Sequence, residues 1–79
     1  MEKIAATQIL ALALECSGKA SESVKLVKDT CTESDFIAYR QAAAQVIAHI
    51  FLNILVPIYE EYQDLAPEWY RAYGTSRGA

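Results

Sequence analysis

Apolar residues near the start of the chain recur at helical spacing. Ile4, Ile9, Leu10, Leu12 and Leu14 stand among Ala5, Ala6, Ala11 and Ala13, which favour helix, and nothing alternates as a strand would. Ser17-Gly18 supplies a left-handed stop, so a first helix is predicted from Glu2 to about Cys16. A second is predicted from near Ala20 to Cys31. There Ala20, Val24, Val27 and Cys31 fall at i, i+4, i+7 and i+11, with Glu22, Lys25, Lys28 and Asp29 on a solvated face. One continuous helix through Gly18 is the other reading of the same stretch.

Thr32-Glu33-Ser34-Asp35 is dense in capping side chains, and either Thr32 or Ser34 can open the longest helix, with acids at its positive dipole end. That helix should reach Leu55 or Val56. Pro57 lacks a backbone donor and disfavours helical geometry at Val56, which predicts a kink or a break there. Ile58 to Leu65 again reads as helix. Pro67 suits a first helical position, Trp69 to Tyr73 forms a last short helix, and Gly74 ends it. The expected fold is all-α: a small bundle of three main helices plus a short C-terminal helix. Residues 1–74 form a single domain, and residues 75–79 form a flexible tail.

Composition narrows the picture. The chain has 79 residues, 53% of them hydrophobic, with 7 Lys and Arg against 10 Asp and Glu. This is one domain at most, too apolar to be disordered and too short for a nucleotide-binding sheet or a barrel. Without a basic stripe, nucleic-acid binding is disfavoured. The start of the chain superficially resembles a secretion signal, but Glu2 and Thr7-Gln8 argue against that. Residues 42–58 are the longest apolar run. Gln45, His49, Asn53 and Pro57 interrupt it at the minimum spanning length, so no membrane association is expected. Cys16 and Cys31 lie too far apart for an intrachain bridge in either helical reading, about 16 Å or more at 1.5 Å per residue. Reduced, buried thiols and a cytoplasmic location are the expectation.

Two constellations stand out. Gln45, His49 and Asn53 form a polar stripe at i, i+4 and i+8 on an otherwise apolar helix. Turned outward, it is the solvated strip of a mostly buried helix. Turned toward a second copy, its amides and imidazole could fix the register of a dimer. One histidine with no carboxylate a helical turn away cannot hold a metal, and neither catalytic machinery nor a cofactor motif is present. Ala38, Ala42, Ala44 and Ala48 let another backbone come close, and packing against the first helix is the expected use, with a helix–helix dimer seam as the alternative.

The second constellation is the C-terminal third, where Tyr59, Tyr62, Trp69, Tyr70 and Tyr73 stand beside Glu60, Glu61, Asp64 and Glu68. Aromatic rings that fold back on the core can leave hydroxyls and carboxylates as an outward edge for a basic protein partner. The apolar excess predicts a homodimer, because three short helices have too little interior to hide it. The leading functional expectation is a non-enzymatic protein-binding module. Size and charge, but no motif, are shared with small acidic immunity proteins, antitoxins, adaptors and secretion chaperones. The alternative is a small-ligand carrier, with an apolar pocket between the long helix and the tail and with His49, Asn53 or Tyr59 giving polar specificity.

Overall fold

The chain builds a helical hairpin. A computed structural model describes residues 1–72, and all regular structure among them is helical. The first arm, α1, is Lys3–Thr30 and the second begins with α2, Glu33–Ile50. A single π-helical turn, Phe51–Leu55, carries the second arm into α3, Val56–Glu61, and a 3₁₀ turn follows at Gln63–Leu65. Residues 68–72 are helical again. The end of the expected Trp69–Tyr73 helix, the Gly74 stop and the 75–79 tail lie outside the described residues.

The predicted break at Gly18 does not occur, and α1 runs through it as one helix of 28 residues. The reason is a heptad-spaced stripe that Gly18 does not interrupt. Ala6, Leu10, Ala13, Ser17, Ala20, Val24 and Val27, alternately three and four residues apart, are all shielded positions of α1 and run the length of the helix. Packing that stripe along α2 outweighs the roughly 1 kcal/mol that a mid-helix glycine costs. Gly18 is exposed, and a Cβ built there would meet nothing within 4 Å. Gly18→Ala is therefore expected to stabilise the chain by about 0.5–1 kcal/mol, read as a raised urea midpoint. A lowered midpoint would contradict the continuous helix.

The second arm starts where capping chemistry places it. Thr32, in extended backbone, accepts a hydrogen bond from the Asp35 amide at 3.1 Å, with Glu33 and Asp35 in the first turn. Pairing of the arms is fixed by Tyr39 Oη and Ser23 Oγ, 2.7 Å apart, while Ser23 hydrogen-bonds back to the Ala20 carbonyl at 2.6 Å.

What the arms bury is small. Of the seven buried apolar residues among the described ones, four are alanines: Ala6, Ala13 and Ala43 on the arms and Ala66 beyond them. Alanine lets helices approach closely but removes little apolar area from water, so the larger side chains are displaced to the outside. Ile4, Leu12, Leu26, Val46 and Leu52 are all more than half exposed. Two expectations are corrected here. Ala38, Ala42, Ala44 and Ala48, expected to pack against α1, are exposed, and Ala43 and half-buried Ile47 are the positions of α2 turned inward there. Cys16 and Cys31, expected to be buried, are free and exposed, because the inward face of α1 passes through Ser17 and the hairpin turn opens Cys31 to water.

Pro57 neither breaks the second arm nor merely kinks it. It cannot donate to the Asn53 carbonyl, and its ring presses on that carbonyl in a regular helix. The wide turn accommodates it: the Val56 amide reaches back five residues to the Phe51 carbonyl. The inward face consequently advances by one residue, from Ile50 to Leu55 and then to Ile58 and Tyr59.

Candidate functional site

The C-terminal aromatic segment is held by that shifted register. α3 ends at Tyr62, whose backbone leaves the helical region, and Ala66 is extended. The Tyr70 and Arg71 amides then both reach the Pro67 carbonyl at 3.1 Å, starting the last helical turn. This folds the tail across one face of the hairpin. Tyr70 meets Tyr59 with ring centroids 5.0 Å apart and meets Phe51 edge-on at 6.4 Å, while Trp69 stacks on Phe51 at 6.1 Å. Ala13, Leu55, Tyr59 and Ala66 form the main buried cluster, with Leu10, Ile50, Phe51 and Tyr70 against it.

The proposed recognition residues therefore divide. Tyr59, 3% exposed, is a core residue and is withdrawn from the surface; the register shift at Pro57 turns it inward. Burial, and secondarily the neighbouring Tyr70 hydroxyl, raises its phenol above the ordinary value of 10.0. Tyr62 and Tyr70 are half-buried. Glu61 and Asp64 hold the start of α1: Glu61 lies 3.5 Å from the Met1 amino group, and Asp64 pairs with Lys3 Nζ. The Lys3 hydrogen bond is the main reason the Asp64 carboxyl is lowered below 3.8. Tyr62 Oη also donates to the Met1 carbonyl. Glu60 and Glu68 stay exposed, as does Trp69 at 61%.

The rings of Tyr59 and Tyr70 meet in the space between the long helix and the tail where a ligand pocket was one expectation. An open groove of about 650 Å³ lies instead on the outer side of α2, lined by Ala42, Gln45, Val46, His49, Ile50, Asn53 and Ile54. All three residues of the polar stripe thus belong to one surface, and all three are exposed. Asn53 Nδ2 lies 3.5 Å from His49 Nδ1. A second groove of about 300 Å³ shares Asn53 and Ile54 and continues to Ile9 of α1, Pro57 and Met1. Among the described residues, no three of His, Cys, Asp and Glu come together as metal ligands would.

The sequence reading missed two features of this surface. One is the contribution of α1, which becomes visible only when its register against α2 is known. The other is the Lys3–Asp64 clasp between residues 61 positions apart. The helical run Glu33–Glu61 is also long and apolar enough to cross a membrane by length and composition, with mean hydropathy 1.7 in its most apolar window and 22% of that window buried. Comparison of the chain with protein-family models, curated proteins and solved structures finds no match in any of the three.

Proposed function

We propose that the chain is a non-enzymatic protein-binding module: a small acidic helical homodimer, cytoplasmic, that recognises a protein partner with a basic surface. The observation that carries this reading is the inversion of side-chain size across the hairpin. Among the described residues four of the seven buried apolar side chains are alanines, while Ile4, Leu12, Val46, Leu52 and Trp69 lie more than half exposed. Displayed apolar surface on that scale is characteristic of chains that complete themselves by association.

The partner edge comprises Trp69, Glu60 and Glu68. A large rigid ring already seated on Phe51 loses little freedom on binding, and the exposed carboxylates of Glu60 and Glu68 steer a cationic surface toward this end of the chain. Glu61 and Asp64 support this edge indirectly, because their ion pairs tie the segment to the start of α1.

Capture from the native source with the full chain tests the reading. The double variant Glu60→Lys/Glu68→Lys, and separately Trp69→Ala, should lose a protein that the unaltered chain retains at low salt and releases at high salt. An unchanged set of captured proteins with both variants would remove the proposal.

A further inference from the structure

We infer that a second copy of this chain docks on the face of the hairpin opposite the C-terminal tail, with α2 of one copy antiparallel to α2 of the other and the Gln45–His49–Asn53 stripe at the seam. The inference rests on the self-association proposed above and adds which surface is used, in which direction, and which residues set the register.

The two faces of the hairpin are not equivalent. The tail covers the side on which Phe51 lies, and Asn53, two residues on, points to roughly the opposite side of the helix. On that uncovered side the groove beside Val46 and His49 runs continuously, through Asn53 and Ile54, to Ile9 of α1. A domain is built from at least two packed layers. Here the uncovered side has only one, in a body 43 × 30 × 17 Å across.

Exposure and chemistry fit this occupant. Val46 and Ile54, which line the groove, are 54% and 38% exposed. The middle of the groove bears no carboxylate or ammonium that would select a charged partner, only amides and an imidazole. Each amide is both donor and acceptor, so an amide can pair with an amide of another copy. Running the two α2 helices antiparallel about His49 sets Gln45 of each against Asn53 of the other and aligns opposite dipole ends.

The same observations disfavour lipid as the occupant. The Ser23–Tyr39 pairing places the Glu15–Lys19 ion pair of α1 level with the 43–47 stretch of α2, so charge would enter the bilayer with the apolar run, and the stripe would face hydrocarbon.

Sedimentation of the full chain over a wide concentration range supplies the first test. A dimer is expected, and Val46→Asp should weaken it on the order of 100-fold or more, since each copy buries an unpaired charge. Ile37→Asp, half a turn around α2 from Val46, should leave it unchanged, with circular dichroism confirming that both variants stay helical. In a Cys16→Ser/Cys31→Ser background, His49→Cys should form an intermolecular disulfide on mild oxidation, because the seam brings the two copies of this position within about 7 Å. A dimer that tolerates Val46→Asp or does not cross-link through His49→Cys would overturn the seam while leaving self-association standing. A strict monomer at every concentration would overturn both. Flotation of the chain with phosphatidylcholine vesicles in place of dimerisation would assign the face to lipid and likewise end the inference.

Discussion

Replacing Tyr59 with alanine is expected to cost about 3–5 kcal/mol, the range for deleting a buried aromatic ring. Among the described residues it is the largest of the buried side chains, and it joins Ala13 of α1, Leu55 of the π turn and Ala66 of the tail in one cluster. A chain of this length has about 4–12 kcal/mol in all. The variant should therefore melt far below the parent, or not fold at all. Tyr59→Phe separates the ring from its hydroxyl. The unfolded phenol ionises near pH 10, while the buried one holds its proton to higher pH. Stability linked to this group is thus complete below about pH 10 and falls as pH rises beyond it. The parent should lose urea resistance between pH 9 and pH 11 more steeply than Tyr59→Phe. Equal slopes would remove Tyr59 from the alkaline limit.

Enlarging the alanine seam should be the second most damaging change. Ala6 is fully buried, so Ala6→Leu forces three extra carbons between arms that alanine allows to sit close together. Overpacking of this kind costs about 1–3 kcal/mol. For a domain of this size each kcal/mol shifts the melting temperature by about 4–8 °C. Ala11→Leu, on the exposed side of the same helix, should stay within roughly 0.5 kcal/mol of the parent. If Ala6→Leu were the more stable of the two, the close approach of the arms would be wrong. Both proteins must be compared at one concentration, since a self-associating chain gains stability by mass action.

The size inversion across the hairpin also explains why so short a chain reads as so apolar. An antiparallel pair of long helices has one line of contact, and Ala6, Ala13 and Ala43 are its most buried positions along α1 and α2. The leucines, isoleucines and valines that a compact bundle would enclose are left on two broad faces. The tail, through Phe51, Tyr59 and Tyr70, closes part of one of them.

Much of the local structure is legible from the residues alone, because it depends on groups a few positions apart. Helix throughout, the Thr32 cap with its acidic first turn, the disturbance around Pro57 and the restart at Pro67 all follow from backbone chemistry within one or two turns. The heptad stripe through Ala6, Ala13, Ala20 and Val27 is legible as well, but spacing alone does not show that its packing outweighs the stop offered by Ser17-Gly18. A glycine stops a helix only when nothing on either side rewards continuing.

Tertiary structure alone decided the rest. Whether Tyr59 or Trp69 is the buried ring depends on the one-residue advance of the inward face at Phe51–Leu55. That advance arises because packing holds α2 and α3 in one arm although Pro57 cannot complete a regular turn. Which carboxylates remain free depends on Lys3 and Met1 arriving beside Asp64 and Glu61. Which side of α2 stays uncovered depends on where the tail lands. Each is an interaction between residues distant along the chain, and side-chain spacing carries the period of a helix but not the identity of the surface it will meet.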